Sequence, residues 1–290
     1  MRTIHSIAGA TLLVTLAAVA APAPASAQSV GSMVGNDFKD AIGDIWSVWT
    51  SPFHADARDW ADAAGALAVT AAVMPLDDNV DHWIVTHPDA WALRAVKPFT
   101  QEGSLPFTGH QFLPVAGAMY VAGLAFHSQD LRDAVMGCLA SYGANNPVRE
   151  VIFRLVSRER PDTAQGNQYT FAVPGSSDWK KQSFFGGHAA NIMACASYWG
   201  HRFSLGYAAP VIYLVAIGVG TGRMEDRAHW TSDTVLGFIF GYAVGKAIGD
   251  RDAERQLDRR HGRLGLLAPP AGSYMSIQGD ELVAGWHHPF

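Results

Sequence analysis

Gly222-Arg223-Met224-Glu225-Asp226-Arg227-Ala228-His229-Trp230-Thr231-Ser232-Asp233 joins two apolar runs, Leu205 to Gly222 before it and Thr234 to Gly245 after it. Both runs are rich in Ala, Leu and Gly and too long for ordinary strands, so they read as helices meeting at a polar hinge. Working outward, similar runs occur at Ala189 to Trp199, Leu131 to Tyr142, Phe112 to Phe126 and Ala63 to Leu76. The pattern predicts an all-α bundle of about six helices. A long polar loop, Asp162 to Gln182, separates the third and fourth runs and carries the turn cluster Pro174-Gly175-Ser176-Ser177. Loops of that length inside a compact domain are usually functional.

The flanks divide the rest. Arg2, the apolar-to-small run Ile7 to Ala20 and Ala25-Ser26-Ala27 predict a signal peptide over 1–27 and an exported, periplasmic protein. A polar approach segment with Trp46 and Trp49 occupies 28–60, the helical domain 61–249 and a tail 250–290. Mixed charge from Lys246 to Arg263 reads as a solvated end of the last helix. Ser273 to Gln278 and Glu281 to Trp286, around Gly279-Asp280, read as a small β-hairpin. Cys138 and Cys195 are the two cysteines, and in an oxidising compartment they either pair or remain buried thiols.

Net charge is −5 with 16% charged residues, which excludes nucleic-acid binding through bulk positive charge. The runs Ala63 to Leu76 and Thr234 to Gly245 cover about 21 and 18 Å as helices, against a hydrocarbon core of about 30 Å. That points to a soluble bundle whose membrane contact is peripheral. Arginine supplies 16 of the 21 cations, a bias that suits phosphate.

Three short pieces carry chemistry: Arg158-Glu159-Arg160-Pro161 after the third run, Ser183-Phe184-Phe185-Gly186-Gly187-His188 before the fourth, and Arg223-x5-His229-x3-Asp233 in the hinge. An Arg-x5-His-x3-Asp spacing is expected by chance roughly 0.05 times in this composition, so the third piece is the informative one. Arg160 and Arg223 would fork onto phosphate oxygens. Gly186 and Gly187, opening a helix, would present backbone N–H groups to an anion. Asp233 would accept from one nitrogen of His229 and leave the other as a nucleophile, and His188 would protonate the leaving oxygen.

In order and spacing the pieces resemble the signature of the type-2 phosphatidic acid phosphatase superfamily, which includes bacterial acid phosphatases and vanadium haloperoxidases. Its pattern is Lys-x6-Arg-Pro, Pro-Ser-Gly-His and Ser-Arg-x5-His-x3-Asp. The resemblance implies a helical phosphatase in which His229 forms a phosphohistidine, Asp233 orients it, His188 is the general acid and Arg160 and Arg223 bind phosphate. It implies no metal or other cofactor, vanadate as an inhibitor, and a phosphorylated lipid or small phosphate ester as substrate. Phe153 stands where the family has lysine, with Arg154 next to it as the candidate replacement cation; Gly186 and Gly222 stand where it has serines. The alternatives are a haloperoxidase with vanadate as cofactor, and a non-catalytic phosphate- or lipid-binding relative.

Overall fold

Four glycines spaced one helical turn apart, Gly237, Gly241, Gly245 and Gly249, decide how the core is built. A Cβ at the first three would fall 2.5, 2.2 and 2.0 Å from the carbonyl oxygens of Gly186, Ala190 and Ala194, and one at Gly249 would fall 2.9 Å from that of Tyr198. The helix Thr231–Leu266 (α9) therefore lies backbone against backbone on the helix Gly187–Arg202 (α7). Four interior glycines cost a helix roughly 3–4 kcal/mol relative to alanine, a cost offset by contacts that no side chain would leave room for. The contact positions advance together, so α7 and α9 run parallel. Their N-termini sit side by side, joined by Gly186 N donating to the Asp233 carbonyl at 2.9 Å.

The computed structural model describes residues 29–99, 112–164, 167–172, 174–175, 178–203, 205–266, 273–278 and 281–286. The expected signal at 1–27 lies outside them. The remaining helices are α1 (Val30–Thr50), α2 (Ala57–Val73), α3 (Asp77–Thr86), α4 (Trp91–Val96), α5 (Phe112–Ala125), α6 (Gln129–Val156) and α8 (Ala209–Glu225). The chain is all-helical in its core, as the apolar runs predict, and those runs lie in α2, α5, α6, α7, α8 and α9. The strands Ser273–Gln278 and Glu281–Trp286 pair antiparallel.

Two expectations need correction. The approach segment 28–60 is mostly α1, whose buried or half-buried Met33, Ala41, Ile45 and Val48 recur at helical spacing between polar residues. The mixed-charge stretch after Gly245 is no solvated tail but a continuation of α9. Its Arg255 donates to buried Asp44 of α1 at 2.6 and 2.7 Å, and Arg259 pairs with Asp40. The cysteines pair: Cys138 of α6 and Cys195 of α7 form a disulfide with Cα atoms 4.7 Å apart. Asn145 Nδ2 donates to the Ala190 carbonyl at 3.3 Å, and Asn191 Nδ2 to Asn146 Oδ1 at 2.9 Å. Residue numbers rise on α6 as they fall on α7, so the two are antiparallel. The C-terminal half of α6 thus reaches the end of the bundle where α7 and α9 begin, and the C-terminus of α8 arrives there as well.

Candidate active site

At that end a buried polar chain holds the hinge. Asp233 is the third residue of α9, and its Oδ2 accepts from Trp230 N at 3.0 Å, closing the open helix start. Its Oδ1 accepts from Arg158 Nη1 at 2.6 Å, and Ser183 Oγ donates to Oδ2. Arg158 also donates to Asp77 Oδ2 at 2.8 Å, while Ser232 N donates to Asp77 Oδ1 at 2.8 Å. Asp77, Arg158 and Asp233 are all buried, with side chains fully out of solvent. Such a carboxylate–guanidinium–carboxylate line survives burial because one guanidinium bridges both carboxylates and the Ser183 and Ser232 hydroxyls and backbone N–H groups donate to them as well. Burial pushes the Asp233 carboxyl up, and Arg158 and Ser183 pull it back.

His229 Nδ1 lies 2.8 Å from the Ser183 carbonyl. A carbonyl only accepts, so Nδ1 carries the proton and Nε2 keeps its lone pair. This corrects the expectation that Asp233 accepts directly from the ring. His229 precedes α9 rather than lying on it, so the spacing of four does not place the two on one helical face. Asp233 acts on the histidine one step removed: Ser183 takes the imidazole N–H on its carbonyl and gives its hydroxyl to the carboxylate.

Around His229 the site is cationic. Burial and the nearby Arg160, His188 and Arg223 hold its pKa well below the ordinary value. His188, second residue of α7, is pushed down from 6.5 to about 4 by burial and then by Arg223, Arg149 and Arg160. Both imidazoles are therefore neutral at pH 7 in the free site. Arg223 Nη1 pairs with Asp226 at 2.7 Å, yet its Nε is buried without an acceptor among the described residues. Arg160 feels the charges of Arg223 and Arg149. Gly186 and Gly187 open α7 against this cluster. A Cβ at Gly186 would lie 3.2 Å from the Asp233 carbonyl oxygen, a tight contact that the glycine relieves.

The structure thus brings His188, His229, Arg160, Arg223, Gly186 and Gly187 together, with Asp233 behind them. It does not bring Arg154. That side chain is 59% exposed and donates to Glu150 at 2.8 and 3.0 Å, on the outer face of α6. Sequence reasoning missed Arg158 and Ser183 as supports although both lie inside the quoted pieces. It also missed Arg149, which sits one turn before Phe153; looking one helical turn back from the substituted position would have found it.

The site therefore holds two neutral imidazoles and several arginines at the paired N-termini of parallel helices, an arrangement suited to a phosphate-sized anion. Residues 134–249, about two fifths of the chain, match the model of the PAP2 superfamily. Among solved structures it is similar to a transmembrane PAP2-type phosphatidylglycerolphosphate phosphatase from Bacillus subtilis. Identity is 17% and the TM-score 0.47, over 69% of this chain and 95% of the other. Among curated proteins none matches the sequence.

Proposed function

We propose that the protein is a metal-independent phosphomonoesterase working through a phosphohistidine on His229. The observation that carries this reading is the His229 Nδ1 contact to the Ser183 carbonyl, which leaves Nε2 as a lone pair beside Arg160, Arg223 and His188. The phosphoryl group docks its oxygens on the arginines and on the N–H groups opening α7. Nε2 attacks phosphorus, the P–O bond to the leaving group breaks, and the electron pair leaves with that oxygen. His188 supplies the proton that neutralises the leaving oxygen. Water then attacks phosphorus, gives its proton to His188 and breaks the P–N bond, releasing inorganic phosphate. Two bound negative charges offset the arginines and raise the His188 pKa, so the acid becomes competent when substrate is present.

We further propose a lipid phosphate as substrate, handled at a membrane surface outside the cytoplasm. Gly206–Glu225 is, among the described residues, the one helix long and apolar enough to cross a membrane, with a mean hydropathy of 1.2. Val211, Leu214 and Ile217 are exposed on it, and its last turn carries Arg223. The signal-like N-terminus supports export. The test is turnover by purified protein of phosphatidic acid presented in mixed micelles against a soluble phosphate ester. His229→Ala is expected to abolish both, with phosphatidic acid the better wild-type substrate. Activity surviving in His229→Ala would refute the mechanism, and a clear preference for the soluble ester would refute the lipid assignment.

A further inference from the structure

The substituted lysine position leaves the site one cation short of the family pattern, and the α6–α7 register shows where a cation arrives instead. Resting on the phosphatase reading above, we propose that Arg149 is the third phosphate-binding cation of this site and that Phe153 is its platform.

Register gives the first argument. Cys138 meets Cys195, Asn145 meets Ala190, and Arg149 meets Gly187, so pairing proceeds in step along the antiparallel helices. Arg149 falls level with the opening of α7, where the backbone N–H groups and His188 lie. Position 153, one turn further along α6, falls past that opening. A lysine there would have to reach back to the anion, whereas Arg149 is already beside it.

Space gives the second. A Cβ on Gly187 would lie 2.2 Å from Arg149 Nη1 and 2.6 Å from its Cδ. The guanidinium therefore occupies the place of the missing side chain, directly over the N-terminus of α7. The Phe153 ring supports it from below, with the guanidinium carbon 4.9 Å from the ring centroid. Phenylalanine at the lysine position thus packs against an arginine one turn earlier.

Charge gives the third. Arg149 Nε is buried without an acceptor, and no carboxylate lies within ion-pair distance of the side chain among the described residues. Its sequence neighbour Glu150 is held by Arg154 through two hydrogen bonds to Oε1. Arg154 thus engages the acid whose charge reaches Arg149, instead of binding phosphate itself. The charge of Arg149 is felt by both His188 and Arg160, which places it at the reacting end.

The experiment measures inhibition by orthovanadate, together with kcat and KM for p-nitrophenyl phosphate, in Arg149→Gln, Arg149→Lys, Arg154→Gln and His229→Ala. Losing a charge-assisted fork should raise the Arg149→Gln inhibition constant and KM about ten- to hundredfold. Arg149→Lys keeps the charge and loses the fork, so it should lie between that variant and wild type. Arg154→Gln should stay within about twofold of wild type. An unchanged vanadate constant in Arg149→Gln, or in Arg149→Lys if the first does not fold, overturns the assignment. So does a loss in Arg154→Gln as large as in Arg149→Gln. His229→Ala separates the two levels: if it is dead while Arg149 variants bind vanadate normally, the phosphatase reading stands and only the Arg149 assignment falls.

Discussion

The two ends of the bundle use arginine in opposite ways. At one end Arg202 donates to Asp133 at 2.6 Å, Asp252 at 2.8 Å and Asp130 at 2.9 Å, and buried Asp44 accepts from Arg255 at 2.6 Å and Arg251 at 3.1 Å. Arg132 meets Asp37 there at 2.7 Å. Roughly 21 Å away, fourteen residues back along α7 at 1.5 Å each, Arg149, Arg160 and Arg223 share one end of the bundle, and after burial it is their charges that push down the His188 pKa, those of Arg160 and Arg223 acting on His229 as well. The same side chain is a structural clamp where several buried carboxylates surround it, and on the proposed reading an anion receptor where guanidinium groups gather around the two imidazoles. Arg158 marks the boundary, lying at the catalytic end but matched to Asp77 and Asp233.

Substitutions at the two ends should separate stability from activity. Arg202→Met leaves Asp133 and Asp252 facing each other in a buried site. Asp133 is already pushed up to about 7 by burial and by Asp252. The expected cost is about 3–5 kcal/mol in a denaturant or thermal melt, with kcat/KM of the folded fraction within about twofold of wild type. Arg223→Gln should do the reverse. Losing one donor to transition-state charge is expected to cost about 10²–10³ in kcat, while the melting temperature holds or rises as repulsion with Arg160 is relieved. A large activity loss in Arg202→Met, or a large stability loss in Arg223→Gln, would break the contrast.

A smaller effect should appear in the pH profile. His188 is held below its ordinary 6.5, so the free enzyme loses its acid proton as pH rises above about 4. The kcat/KM for a phosphomonoester should therefore be greatest on the acid side and fall toward neutral pH. Removing one of the cations that depress His188 raises its pKa, so in Arg223→Gln the descending limb should move up by about one pH unit. A limb that stays put, or moves down, would mean another group sets it.

Much of this was legible in the sequence because it is local. Largely apolar runs mark α2, α5, α6, α7, α8 and α9, and the short motifs carry Arg160, His188, Arg223 and His229. What escaped depends on packing. The apolar positions of α1 are interleaved with polar ones, so no run exists to see. The charges after Gly245 look solvated until α1 supplies Asp40 and Asp44. Arg154 stands out in the sequence because it adjoins the substituted position, whereas only the α6–α7 register and the bare Gly187 show Arg149 lying over the opening of α7. The partner of His229 escaped for a similar reason: the place where α9 starts, and so the orientation of Asp233, is a property of the fold.

The central claim is a covalent phosphoryl group on His229 Nε2. Rapid-quench trapping with a ³²P-labelled phosphomonoester tests it most directly, with the labelled protein digested and mapped by mass spectrometry. The account predicts label that is stable in base and labile in acid, on the peptide containing His229, in wild type and absent from His229→Ala. Label on another residue, or full turnover with no trapped phosphoenzyme under any quench, would contradict it.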